Sequence, residues 1–432
     1  MKILLLSHSE NGGAGRAAYR LHQGMHKIGI NSQMLVQNKS GDDKAVLAPK
    51  TRLAESIARM RVAIDAIPLK FYPQRHKTAF SPQWLPDQII KQVARYQPDV
   101  INLHWLNEGY MQIETIAKLK KPIVWTLHDM WAFTGGCHYN QECDRYTARC
   151  GRCPQLNSSK DLDLSRWIFE RKVKAWQQLN LTIVTPSRWL AKAASSSSLF
   201  RNVRVEVIPY GIETNIYKPI DRRFARNLLN LPQDKQLLLF GAMNATSDRR
   251  KGFHLLQPSL QKLSQSGYID NIELVVFGAS SGDSNADIGM KTHYLGRVSD
   301  DISLALIYAS ADVFIAPSIQ DNLPNTVMEA IACGTPCVAF DIGGMPDMIE
   351  HQQNGYLAKP FDIEDLTRGI MWVLEGRHEK LGYHARQKAE QEFPLSLQAQ
   401  RYLSLFNEIC GEKYHHHSLF NTVNQLQVQV GK

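Results

Sequence analysis

"KILLLSHSENGGAGRAAYRLHQGMHKIG", residues 2–29, is the stretch on which the fold turns. "KILLLSH" is a short apolar run that stops at polar residues and then at glycines, and in the segment after it Ala17, Leu21 and Met25 recur at helical spacing. The order is strand, glycine loop, helix. Working outward, "DVINLHW" (99–105) and "PIVWTLHD" (122–129) read as buried strands, with "GYMQIETIAKLKK" (109–121) as a helix between them. Repeated β-α units predict a parallel sheet with helices on both faces.

The rhythm restarts after "VRVEVIPYGIETNIYKP" (203–219), where Pro209 and Pro219 suit a linker. "QLLLFGA", "IELVVFGA", "DVFIAPS" and "PCVAF" are four strand candidates, separated by helices such as "DDISLALIYASA" and "NTVMEAIACG". A second parallel sheet is therefore expected. The reading divides the chain into a Rossmann-like domain over 1–204 with a cysteine-rich loop at 137–153, and a second one over 205–390. A helix in 391–414 returns toward the first domain, and 415–432 is a polar tail whose His415, His416 and His417 suit either plain solvation or adventitious metal.

Composition agrees with two cores. The 432 residues are 44% hydrophobic and 21% charged, an ordinary globular balance. No apolar run approaches the roughly 18 residues that span a bilayer, and the opening run is too short for a signal peptide, so the expected location is the cytoplasm. The net charge of +9 is uneven: residues 1–204 hold 30 Lys and Arg against 15 Asp and Glu, and the remainder holds 20 against 26. A basic half suits either an anionic partner or a solvated surface. Nucleic acid is not expected, because basic and aromatic residues do not interleave.

In open parallel sheets ligands bind beyond the carboxyl ends of the strands. His8, His104 and His128 each end an apolar run there. Gly12, Gly13 and Gly15 lie between a strand and a helix, where backbone amides approach an oxyanion or merely make a tight turn; the spacing is not the dinucleotide fingerprint. "SDRRKGFHLL" (247–256) sets Arg249, Arg250 and Lys251 beside Gly252 after the first strand of the second half, a cluster suited to a diphosphate. In "QDNLPNTVMEAIACGTP" (320–336), Asp321 lies in the loop before a helix and Glu329 about one turn inside it. Pro324 suits the first helical position, and the amides near Leu323, Asn325 and Thr326 are unpaired donors. Such a loop and helix end suits a sugar, a diphosphate and a ribose in line.

These two halves, the acid pair, the basic segment and "DIGGMPDMIEHQQNGYL" (341–357) together resemble glycosyltransferase family 4 (GT4), retaining enzymes of the GT-B fold, in which two Rossmann-like domains face each other across a cleft. The family carries Glu-x7-Glu, and here Asp321 takes the first position and Glu329 the second. "TLHDMWAFTGGCHY" (126–139) is similar to a subset from bacterial exopolysaccharide and O-antigen synthesis. The resemblance implies that Glu329 binds the nucleotide ribose, and that Asp321, Asn322, Leu323, Pro324 and Asn325 hold the donor sugar and diphosphate. It further implies that Lys251 and Arg249 neutralise the leaving diphosphate, that His128 contacts the transferred sugar, and that Gly12, Gly13 and Gly15 lie beneath the diphosphate. The implied donor is a UDP- or GDP-sugar, the acceptor a saccharide or lipid-linked saccharide, and the chemistry needs no metal. Many members have Arg where this chain has Ala242, a place that Arg249 would fill. A nucleotide-sugar epimerase of the same fold, or a catalytically silent nucleotide-sugar-binding subunit, are the alternative readings.

Two further stretches stand apart. Cys137, Cys143, Cys150 and Cys153 close with a Cys-x2-Cys spacing found in structural zinc sites; disulfides and free thiols are the other readings. Residues 51–77 place Leu53, Ile57, Met60 and Ile64 in one apolar stripe among Arg52, Arg59 and Arg61. That pattern suits either packing on the first domain or peripheral contact with an anionic membrane surface.

Overall fold

The structure, a computed structural model, describes residues 1–48, 52–241, 248–265, 271–279 and 288–411, with side chains from 55 onward in the second of these stretches. Ala242, the side chain of Leu53 and the tail 415–432 lie outside the described residues. The first sheet comprises β1 (Ile3–Ser9), β2 (Ser32–Asn38), β3 (Val46–Leu47), β4 (Val100–Leu103), β5 (Ile123–Thr126), β6 (Leu181–Thr185) and β7 (Arg204–Val207). Their order is β3-β2-β1-β4-β5-β6-β7, every pair parallel. The second comprises β8 (Gln236–Gly241), β9 (Ile272–Phe277), β10 (Thr292–Tyr294), β11 (Val313–Ala316), β12 (Cys337–Phe340) and β13 (Gly355–Ala358), ordered β10-β9-β8-β11-β12-β13 and again parallel. This is the two-domain Rossmann-like architecture.

In each sheet the strand order reverses once, between β1 and β4 and between β8 and β11. Crossover connections leave to opposite faces at such a switch, which opens a crevice at the carboxyl edge. Both crevices carry the residues singled out above: Gly12–Gly15 and His104 in one, Arg249–Lys251 and Asp321 in the other.

Strand burial follows the alternation of side chains. Leu4 and Leu6 of β1 join Ile101, Leu103, Trp125 and Trp176 on one face; Ile3 and Leu5 join Ala18, Leu21 and Met25 on the other. That second face is completed by the helix Leu395–Cys410, whose Ala399, Tyr402, Leu405 and Phe406 are buried in the first domain's core, with the Tyr402 hydroxyl 2.8 Å from Thr126 Oγ1. The preceding helix, His378–Glu392, buries Ala385 and Ala389 in the second domain instead. Apolar burial of this kind stabilises by about 1.5–3 kcal/mol for each large side chain, so the last helix ties the two halves together.

The predicted helix at 109–121 shrinks to Ile113–Ile116. The Asp87 carboxylate accepts from Gln112 N and Thr115 Oγ1, both at 2.7 Å, which caps the short turn, while Gly109 and Lys120 adopt positive φ and bend the chain on either side. No helix among the described residues is long and apolar enough to cross a membrane.

Candidate functional site

The second-domain wall is built from two loops zipped together. After β8, Arg249–Lys251 form a short 3-10 turn, capped by the Asp248 carboxylate, which accepts from Arg250 N at 3.0 Å. Gly252 ends the turn at φ +77°, and a Cβ there would overlap the Pro317 carbonyl oxygen, so only glycine lets this loop lie flat on the loop after β11. Ile319 N donates to Arg250 O at 2.9 Å across the same seam. Gly344, the second glycine of "DIGGMPD", is packed as tightly against the Asn322 carbonyl.

The seam brings Lys251 Nζ to 2.7 Å and Arg250 Nη1 to 3.1 Å from Asp321 Oδ2. Burial alone would raise the Asp321 carboxyl, but the two cations outweigh it and hold the pKa down to about 2. Asp321 is thus a fixed anion between two cations. Arg249, by contrast, is exposed, and its neighbour Arg250 takes the inward position assigned to it from sequence. Leu323 is buried in the second domain's core, and Pro324 is the N-cap of the helix Asn325–Ala332 rather than its first residue, supplying no side-chain hydrogen bond to it.

Glu329 is buried at 2% exposure. Its Oε2 accepts from Tyr308 Oη at 2.9 Å, and its Oε1 accepts from Arg20 Nη2 at 2.7 Å, with Arg16 Nη1 3.7 Å away. Arg16 and Arg20 belong to the first domain's helix Gly12–Lys27. The acid on the second-domain helix Asn325–Ala332 is therefore met by arginines of the first domain. Asn325 Nδ2 donates to Gly13 O at 3.0 Å beside it, so the glycine loop abuts the start of that helix. Gly12 and Gly13 have open space where a Cβ would sit, whereas Gly15 is pressed on the backbone of Ser9 and Glu10 and serves packing.

The first-domain wall differs from the sequence expectation at His128. Its ring is internal: Nε2 lies 3.0 Å from His104 Nδ1, and Nδ1 lies 2.6 Å from the Tyr210 hydroxyl. His104 in turn reaches Asn102 Oδ1 at 3.0 Å. Both ring nitrogens are engaged within the protein, and burial lowers the His128 pKa to about 4, so the ring is neutral. What His128 presents to the second domain is its carbonyl, which accepts from Asn322 Nδ2 at 3.1 Å, while Ser187 Oγ donates to Asn322 Oδ1 at 2.6 Å. His8 stands apart from this chain, bonded to Asn38 and edge-on to Trp105.

Sequence reasoning passed over the residues that follow. Tyr139 lies under the Arg250 guanidinium, 4.8 Å from ring centroid to Cζ, and Asn140 Oδ1 accepts from Gln320 Nε2 at 2.7 Å. Gln141 N donates to Gln320 Oε1 at 3.1 Å. The cysteine-rich loop is thus docked against the residue before Asp321. Arg16 and Arg20 were legible as two arginines four apart on one helical face, a polar stripe beside the apolar one.

The four cysteines lie near enough to one another for their charges to interact. Cys137, Cys143, Cys150 and Cys153 are free thiols, and among the described residues no three His, Cys, Asp or Glu side chains are gathered to hold a metal. Burial pushes Cys150 up to about 12 and raises Cys137 and Cys153 as well, and the neighbouring thiols add to the rise. The helix Arg52–Asp65 turns Ile57 and Met60 outward, 49% and 59% exposed, and buries Ala58 and Asp65. Of the stripe, those two side chains do not pack on the first domain.

Comparison with known proteins supplies two family models: "Glycosyltransferase Family 4" matches residues 11–216 and "Glycosyl transferases group 1" matches 234–376. The sulfoquinovosyl transferase SQD2 of Arabidopsis thaliana is 27% identical over 318 residues, 71% of this chain and 56% of the relative. An N,N'-diacetylbacillosaminyl-diphospho-undecaprenol alpha-1,3-N-acetylgalactosaminyltransferase of Campylobacter jejuni is 34% identical over 120 residues, 27% of this chain and 31% of the relative. The matches thus span about half of the first relative's length and a third of the second's. Among solved structures, Anabaena Alr3699/HepE in complex with UDP superposes with a TM-score of 0.63 at 17% identity, covering 94% of this chain and all of that one, which is a likeness of fold.

Proposed function

The chain belongs to the glycosyltransferases of family 4 with the GT-B fold, and from that premise we propose that it is a retaining transferase moving a sugar from a nucleotide-sugar donor to a saccharide or lipid-linked saccharide. The observation that carries the reading is the convergence of Lys251 and Arg250 on Asp321 at the mouth of the donor-side helix, with Glu329 one turn inside it. Departure of a nucleoside diphosphate develops negative charge, and cations fixed by a buried anion need no reorganisation to meet it. Lys251, Arg250 and the uncapped first turn of Asn325–Ala332 supply that stabilisation, so the chemistry asks for no metal.

Asp321 holds the two cations and, with Asn322, fixes the donor sugar; a carboxylate bound so tightly is a poor nucleophile, which favours attack from the leaving-group face with retention. His128 acts through its carbonyl on Asn322 and orients the sugar side of the pocket. Uridine nucleotides are the first donors to try, because the Anabaena relative in fold was solved with UDP. The Campylobacter relative's name includes a diphospho-undecaprenol, which supports a lipid-linked acceptor and a role in surface polysaccharide synthesis. A membrane-bound acceptor also suits the exposed Ile57, Met60, Ile67 and Phe71 beside the exposed Arg59, Lys70 and Lys77.

The test is binding of UDP-, GDP- and ADP-sugars to the wild type, Lys251→Ala and Glu329→Ala, followed by an acceptor screen with the donor class that binds. One class binding the wild type and neither variant supports the reading; a sugar nucleotide consumed without acceptor points to the epimerase. For the membrane contact, flotation with anionic liposomes should be lost in Met60→Glu/Phe71→Glu, and no flotation of the wild type overturns it.

A further inference from the structure

Arg20 is one of the few buried cations among the described residues, with a side chain only 4% exposed, and it lies where the two domains meet. Its Nη2 donates to Glu329 Oε1 at 2.7 Å and lies 3.2 Å from the Tyr217 hydroxyl, which itself donates to Asp301 Oδ1 at 2.7 Å. The guanidinium also stacks over the Tyr217 ring, 5.2 Å from its centroid. Nη1 is buried and meets no hydrogen-bond partner among the described residues.

An arginine whose whole task is to neutralise a carboxylate commonly presents both amino groups to both oxygens. Here Tyr308 occupies Oε2, and the guanidinium meets the acid through one amino group alone. That leaves a buried charged donor unmet, which is costly and is retained where something else satisfies it. A carboxylate oxygen accepts two hydrogen bonds, so Glu329 keeps lone pairs beyond those taken by Arg20 and Tyr308. Donor and acceptor capacity thus remain side by side, one on each domain.

We infer that Arg20 is a further donor-binding residue, whose Nη1 donates to a ribose hydroxyl oxygen of the nucleotide while that hydroxyl's proton is given to Glu329. The pair reads a ribose diol from both sides of the cleft, and the nucleotide becomes the link between the first-domain helix and the donor-side helix. No group is transferred in this step. The inference rests on Glu329 as a nucleotide ligand, which is part of the function proposed above.

The test is calorimetry on the full chain with UDP, GDP and ADP, then with the 2'-deoxy and 3'-deoxy analogues of whichever binds, for the wild type, Arg20→Gln and Arg20→Lys. The wild type should prefer the ribonucleotide to at least one deoxy analogue by about tenfold or more, the loss expected when a charged hydrogen bond goes unmade. Arg20→Gln should weaken ribonucleotide binding by a similar factor and leave the deoxy analogue nearly unchanged, so the ratio collapses. A ratio unchanged from wild type overturns the inference and reduces Arg20 to a salt-bridge partner. Should Arg20→Gln fail to fold, the ratio in Arg20→Lys decides, since lysine keeps the charge but cannot serve Glu329 and the ribose together. A wild type that binds none of the three diphosphates overturns the inference together with the nucleotide-donor reading, a result distinct from binding without discrimination.

Discussion

Replacing Lys251 by methionine separates the contact seen in the structure, with Asp321, from the task proposed for it, meeting the leaving group. Lys251 and Arg250 hold the Asp321 pKa down to about 2 in the fold against an ordinary 3.8, which is worth roughly 2–3 kcal/mol at neutral pH. Because the folded pKa is the lower one, this stabilisation is complete above pH 4 or so and is lost as pH falls through about 2. Arg250 remains at 3.1 Å in the variant, so about half is expected to go, ~1 kcal/mol, read as a lower urea midpoint at pH 7. Turnover should fall much further, by about 10²–10³ in kcat, the usual consequence of removing one preorganised donor. The deciding comparison is made in an Asp321→Asn background. There the stability cost of Lys251→Met should vanish, since no anion is left unpaired, while the loss in kcat should persist at about 10². If Lys251→Met costs no activity in that background, the lysine serves only to neutralise Asp321 and the leaving-group role is refuted.

Acid should loosen the protein well before Asp321 protonates. Burial lowers His8 and His128 to about 4 from 6.5, so the unfolded chain binds more protons between those values, and stability that is full above about pH 6.5 declines by roughly 1–2 kcal/mol per ring at pH 5; denaturant midpoints across pH 7 to 4.5 read this, and His128→Gln should flatten the slope. Phe406→Ala, in the last helix but in the first domain's core, should cost about 3–5 kcal/mol in urea unfolding, and a loss below 1 kcal/mol would contradict its buried packing. Gly252→Ala should displace the Lys251 turn from Pro317 and lower kcat/KM for the donor by about tenfold or more, with wild-type kinetics contradicting the tight seam.

The seven runs identified as strands from sequence are β1, β4, β5, β8, β9, β11 and β12, which include the strands flanking both switch points. Central parallel strands are covered on both faces and so are written as continuous apolar runs, visible without any neighbour. β2 and β6 escaped because Gln33, Gln37, Thr182 and Thr185 interrupt them, and β10 because it is three half-buried residues at an edge. The loop and helix after β11 were legible for a related reason: Asp321, Pro324, Glu329 and Gly334 stand within one β-α unit, where local spacing sets geometry.

Contacts between distant segments were not legible. Which of three adjacent basic residues faces Asp321 depends on how the 3-10 turn lies on Pro317, and it is Arg250 with Lys251 that turn inward while Arg249 faces solvent. His128 ends a strand as expected, yet its ring is claimed by His104 and Tyr210, residues that chain folding alone brings to it. Arg20 reads on its own as a surface arginine of an amphipathic helix and becomes a buried partner of Glu329, 309 positions away, once the domains face each other. Local periodicity and turn chemistry carry the elements because they act over a few residues; hydrogen-bond partners and burial are properties of the packed pair of domains, and only the tertiary structure decides them.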